Sequence, residues 1–287
     1  EAPLKVLFLG DSGHHRPADR FAQLQPVLVP RGIELVYTES LSDLDPKVLA
    51  PYDALAVYAN INDLPPTAEA TILDFVRSGK GLVPVHCASF CFRNSPAWID
   101  LVGAQFQKHG VGEFRAVNVA PGHPVMQDFG GFQSWDETYV HTKHNDRGRT
   151  VLEERIEGDH REPWTWVRQE GKGRVFYTAW GHDQRTWSHP GFHNLIERGI
   201  RFAAGRDPVA AGPYVDRPMM TRPPAGLAPF EYQPAKVPFY APGGTRKGDA
   251  QIATMQRPLA PEESRKHAIT PDGFRVELFA AEPLLTG

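Results

Sequence analysis

The chain opens on an apolar run, LKVLFLG (residues 4–10), which ends in glycine and predicts a buried strand. RFAQLQPVLVPRG follows with its apolar residues spaced as on one helix face. IELVYTE (33–39) and YDALAVYA (52–59) read as the second and third strands. TAEATILDFVRSGKG reads as a helix, with Thr67 as its N-cap, Glu69 in its first turn and Gly79 as its stop. LVPVH (82–86) is the fourth strand, and further strands are expected at 114–119, 149–154 and 174–179. FHNLIERGIRFAAG (192–205) closes the pattern as an amphipathic helix. Strand and helix alternating through short links predict an α/β fold with a doubly wound, mostly parallel sheet.

The pattern stops near Gly205. Of the 27 prolines, 13 lie beyond it, nine of them between Pro208 and Pro242. Proline fixes φ and removes a backbone donor, so this stretch reads as an extended, partly polyproline-like arm. Its aromatics, Tyr214, Phe230, Tyr232, Phe239 and Tyr240, suggest packing along a surface. Beyond it PEESRKHAITPDGFRVELFAAEPLLTG predicts a helical start and then an alternating strand, Phe274 to Ala280, after which the chain stops without closing a unit. Three parts are therefore expected: an α/β domain at 1–205, a Pro-rich arm or linker at 206–260, and the start of a further domain at 261–287.

Composition narrows the function classes. With 287 residues and 41% hydrophobic content the chain can bury a sizeable core. A net charge of −3 carries no polyanion-binding signature, so no nucleic-acid partner is expected. No apolar run approaches the roughly 20 residues of a membrane span. The chain starts at Glu1, as it would after removal of a signal peptide. Cys87 and Cys91 form neither a disulfide framework nor a recognisable zinc motif.

Ligands in doubly wound sheets bind beyond the carboxyl ends of the strands. There the chain offers His14 and His15 after strand one, His86 after strand four, Trp135, Asp136, Glu137 and His141 in SWDETYVH, and Trp180, His182, Asp183 and Trp187 around GHDQRTW. Imidazole, carboxylate and indole thus converge on one edge. Taken singly, each has an ordinary structural reading as a loop histidine, a turn former or a packed indole. His109 and His123 are weaker candidates, and Gly122-His123-Pro124 reads as a turn.

GLVPVHCASF, LVGAQFQKHG, GHPVM, WDETY and GKGRVFYTAWGHD with its following LIERGIRFAAG together resemble the ThuA-like family, named for trehalose utilisation. The resemblance covers about residues 4 to 205. It implies a fold like that of the class I glutamine amidotransferases, flavodoxin-like in layout, and a role in carbohydrate metabolism. The tail, MQRPLAPEESRKHAITPDGFRVELFAAEPLL, resembles the junction into multidomain membrane-bound dehydrogenases described from planctomycete-type bacteria. There a β-propeller and a haem domain follow. This implies a bacterial, secreted or periplasmic protein whose partner is the downstream dehydrogenase domain. No C-x-x-C-H occurs, so no haem is expected on these residues.

The amidotransferase elbow carries its cysteine at the apex of a strand-to-helix turn. Laid on Pro84-Val85-His86-Cys87-Ala88, the family's matching run puts His86 at the apex and turns Cys87 inward. The family's late-strand base falls on His182. With imidazole where the thiol would be, the Cys-His route to acyl transfer is closed. His86, Glu137 and His182 are therefore the catalytic candidates, as an acid–base set or as ligands of a divalent metal such as zinc. His15, Trp135, Trp180, Asp183 and Trp187 are the candidates for binding a sugar or oxidised sugar derivative. Two rivals stand beside this reading: a non-catalytic module that positions substrate for the dehydrogenase, and a hydrolase using Cys87.

Overall fold

We describe the protein from a computed structural model over residues 2–216, 220–221, 226–238, 251–271 and 274–281. Contacts divide the chain into one unit ending at Asp216 and a second beginning at Arg217.

In the first unit the apolar runs become strands: β1 (Leu4–Leu9), β2 (Ile33–Thr38), β3 (Ala54–Val57) and β4 (Gly81–Pro84). Every residue of β3 and β4 is buried, as expected of strands covered on both faces. Each Leu or Val side chain so buried contributes roughly 1.5–3 kcal/mol of transfer free energy. Helices Pro17–Leu28, Pro66–Arg77, Pro96–Val102 and Pro190–Ala203 accompany the strands. The second helix starts one residue ahead of Thr67. Pro66, pre-set for helical φ, takes the first helical position, and Pro65 occupies the cap without a side-chain bond. Gly79 stops that helix at φ 119°, a conformation only glycine adopts readily.

The rest of the unit is antiparallel to a degree the sequence pattern hides. It contains β5 (Gln105–Arg115), β6 (Val117–Asn118), β7 (Gln133–Thr142), β8 (Arg149–Glu157), β9 (His160–Glu170) and β10 (Gly173–Thr178). Among the described residues the central sheet has eight strands in the order β2-β1-β3-β4-β10-β9-β8-β6. Strands β2 to β10 in that order are parallel, and β9, β8 and β6 extend the sheet antiparallel. Strands β5 and β7 pair separately, with Val111 opposite Glu137 and His109 opposite Tyr139. SWDETYVH is thus strand rather than loop. The expected strand at 114–119 is two pieces interrupted at Ala116, because Arg115 pairs with β7 while Val117 pairs with β8.

The first unit runs past Gly205. The Tyr214 ring packs on Phe129, and Arg198, fully buried, donates to the carbonyls of Val125 and Gln127 at 3.1 and 2.7 Å and also to that of Gly212. In the second unit Tyr232–Pro238 pairs antiparallel with Gln251–Gln256, Met220–Thr221 with Thr270–Pro271, and Pro261–Lys266 is a helix. Phe230 lies against His267. Phe239 and Tyr240 fall outside the described residues. The expected strand at Phe274–Ala280 is not formed. Alternation specifies only a face, and a strand also needs a neighbouring backbone to close its ladder. No helix of the described residues is long and apolar enough to cross a membrane.

Candidate functional site

Strand β4 ends at Pro84, and the chain turns through a 3-10 turn over His86–Ser89. His86 takes φ 48°, a left-handed conformation that costs a non-glycine residue roughly 1–2 kcal/mol. The surroundings hold it there. Its Nδ1–H donates to the Ala179 carbonyl at 2.7 Å, its own carbonyl accepts from Tyr177 and Ser89, and its ring stacks on Tyr139 at 4.1 Å. Because Nδ1 must be the donor to a carbonyl, Nε2 is the nitrogen left for chemistry. It lies 3.3 Å from Glu137 Oε2 and is buried with no aligned hydrogen bond closed to it. One residue on, Cys87 is buried, and that burial pushes its thiol well above the ordinary range, away from the thiolate a nucleophile needs.

Glu137 reaches the apex from β7. Its Oε1 lies 3.3 Å from His182 Nε2 and 3.5 Å from His109 Nδ1, so three imidazoles surround one carboxylate. Burial alone would raise this carboxyl, but His86, His182 and His109 outweigh it and hold the group below its usual range. His182 moves the other way: burial and the neighbouring His86 lower it, favouring neutral imidazole.

The adjacent residue sets the geometry. Asp136 accepts the backbone N–H groups of Gly181, His182 and Asp183 at 2.8, 3.0 and 3.1 Å, and that of Glu137 at 2.9 Å. One carboxylate thereby ties the turn after β10 to β7. Gly181 sits at φ 129°, and a Cβ there would meet the Val85 side chain at 3.3 Å and His86 Cβ at 3.4 Å. Its carbonyl accepts from Tyr58 Oη at 2.6 Å and Trp187 Nε1 at 2.5 Å.

The loop after β1 supplies the third wall. Asp11 accepts from the backbone of Gly13 and Asn60, and a Cβ at Gly13 would come within 2.8 Å of Asp11 Oδ1. This fold of the loop brings His14 and His15 together at 4.0 Å between ring centroids. The His15 ring lies 5.6 Å from His86 and 5.4 Å from His182. His15 is 6% exposed, and burial, reinforced by the surrounding histidines and Arg20, pushes it down to about 2, so it is neutral.

His15, His86, Glu137 and His182 therefore meet, as the sequence pattern anticipates. The indoles do not. Trp180 and Trp187 are fully buried: Trp180 stacks on Phe114 at 4.4 Å, and Trp187 packs on Tyr58 and Phe192. These strand-end indoles turn into the core and offer no platform to a ligand. Trp135 is 39% exposed, with Arg185 5.1 Å from its ring. Asp183 caps the short helix Gln184–Trp187 and binds Arg185 through both oxygens at 2.7 and 2.8 Å. The metal candidates also regroup. The donors that come within 4.8 Å of one another are His14, His15 and His182, whereas His86 and Glu137 stand outside that trio.

The sequence pattern gave little weight to His109, placed Asp136 at the strand ends without a task of its own, and gave Tyr139 none. His109 comes beside β7 only through the β5–β7 register, which no local pattern reveals. His109 also lines a cavity of about 470 Å3 with Lys108, Thr138, Arg155 and His160.

Residues 5–203 match the family model of ThuA, described as trehalose utilisation. Among solved structures, a ThuA-like protein of Parabacteroides merdae superposes with a TM-score of 0.62 at 18% identity, covering 71% of this chain and 91% of its own. A ThuA-like protein of Bacteroides uniformis gives 0.58 at 15% identity, covering 72% and 96%. A cold-adapted β-galactosidase of Rahnella sp. R3 gives 0.51 at 16% identity over 70% of this chain and 31% of its own. At such identities the likeness is one of fold. No curated protein matches the chain.

Proposed function

The chain belongs to the ThuA family of trehalose utilisation, and on that premise we propose that its strand-end cluster binds a sugar or oxidised sugar derivative and moves a proton on it. The observation that carries this reading is the placement of one carboxylate, Glu137, among His86, His182 and His109 at 3.3, 3.3 and 3.5 Å. A sugar offers hydroxyl protons, and an oxidised sugar also offers an acidic C–H beside its carbonyl. Glu137 and His86 Nε2 form a base and a proton carrier within reach of each other. His86 is held at the elbow by its carbonyl bond, so Nε2 faces the carboxylate without rotamer freedom to lose. His182 and His109 supply further donors for hydroxyl or carbonyl oxygens. Acyl transfer through Cys87 has no support, since the thiol is buried and its proton held.

The tail's likeness to a dehydrogenase junction adds a parent chain that continues into a dehydrogenase domain in an exported location. That part of the proposal rests on the sequence of the tail alone. The site reading is tested by calorimetric titration of the protein with mono- and disaccharides and their keto forms. Binding that Glu137→Gln abolishes is expected, and no binding by any of them would overturn it.

A further inference from the structure

We infer that His14, His15 and His182 form a divalent-cation site, of the kind that takes zinc or cobalt, on the wall facing Glu137. The inference rests on the strand-end reading only for what the cation would act on. The site itself is argued from its own residues.

Their ligand nitrogens all lie within 4.8 Å of one another, and imidazole is a donor that suits such ions. The second observation is an orphan. His15 Nδ1 is buried with no hydrogen-bond partner, a costly arrangement when nothing relieves it. A histidine placed only for packing would have its ring nitrogens bonded, and His141 in this same domain has both bonded. A cation seated on that nitrogen would answer it.

The donors come from two separate loops, each fixed by a carboxylate of its own. Asp11 shapes the loop carrying His14 and His15, and Asp136 holds the backbone of His182. These bonds fix the backbone from which the imidazoles project. Arg20 is the charge that counts against a cation. It is bound to Gln23, Gln184 and the His182 carbonyl. Against it stand Asp11, Asp136 and Glu137, the last 3.3 Å from His182 Nε2. His14 is exposed, so the trio has a side open to solvent. Three protein ligands with one open position are the arrangement of catalytic rather than structural zinc. The open position would take a hydroxyl or carbonyl oxygen of the sugar, next to Glu137.

The test uses the full chain, stripped with a chelator and titrated with Zn2+ and Co2+ alone, read by calorimetry and by cobalt absorption. One cation per chain is expected. His14→Ala and His15→Ala should each weaken it by more than the roughly 10–100-fold that loss of an outer partner costs. His160→Ala, remote from the trio, should bind as the parent does. His14 is exposed, so its variant folds even if the buried His15 variant does not. Absence of stoichiometric binding, or His14→Ala binding like the parent, would overturn the inference. Because no sugar is present, failure here is separate from failure of the sugar titration: a loaded protein that binds no sugar contradicts only the proposed function.

Discussion

Two imidazole–carboxylate clusters lie on either side of the elbow, and they are built to opposite ends. In the sealed one, His141 Nδ1 meets Glu162 at 2.8 Å and Nε2 meets Tyr177 Oη at 3.0 Å, and the Tyr177 hydroxyl also touches Ser89 and the His86 carbonyl. Both partners are buried, and His160 closes the other oxygen of Glu162 at 3.0 Å. Burial would raise the Glu162 carboxyl, but His141 and His160 hold it down. In the half-open cluster, His86 Nε2 and His15 Nδ1 are buried without hydrogen bonds, and Glu137 is shared among three rings. The same residue types thus act as a rivet when every lone pair is answered, and as a site when some are not.

The comparison breaks first at the rivet. His141→Ala leaves Glu162 buried without its main partner and should cost about 3–5 kcal/mol by denaturant titration. The sugar and cation affinities of the folded fraction should stay at parent values. A loss of affinity at full stability would put His141 in the site instead.

A third buried carboxylate sharpens the contrast. Glu153 takes a hydrogen bond from Thr165 Oγ1 at 2.6 Å but no salt bridge among the described residues, and burial pushes it up to about 7 from 4.5. A raised carboxyl favours its neutral form in the fold. Below about pH 4.5 both folded and unfolded states are protonated and the group is silent. As pH climbs toward 7 the unfolded state releases its proton first and stability falls, by ~3 kcal/mol at most. Glu153→Gln should therefore stabilise the protein at pH 8 and leave it unchanged near pH 4, by the shift in denaturation midpoint. Equal effects at both pH values would show the carboxyl to be ordinary. The smallest effect concerns Cys87, which should resist a small alkylating agent in the folded protein and react only on unfolding. Rapid labelling would reopen the thiol reading.

How much of this was legible depends on burial. The parallel strands and their helices could be read because covered strands are unbroken apolar runs. The elbow apex could be placed at His86 because the family's matching run, which the chain resembles, falls on Pro84-Val85-His86-Cys87-Ala88. Strand β5, QFQKHGVGEFR, is largely exposed and twice interrupted by glycine, so neither alternation nor run marks it. Without it, the approach of His109 to Glu137 has no sequence signature. Asp136 reads as one more acidic residue, since its four backbone partners come mostly from a turn some 45 residues away. Trp180 and Trp187 misled for the converse reason: a strand-end indole can face the ligand or the core, and these two face the core.

The central claim is that Glu137 and its three imidazoles form a ligand site rather than a second rivet. Calorimetric titration of the parent and Glu137→Gln with a disaccharide and its keto form tests it most directly. The account predicts saturable binding to the parent and a loss of at least about tenfold, ~1.4 kcal/mol, in a variant that melts within ~1 kcal/mol of it. No binding to the parent, or a variant that binds equally well but unfolds as easily as His141→Ala, would contradict it.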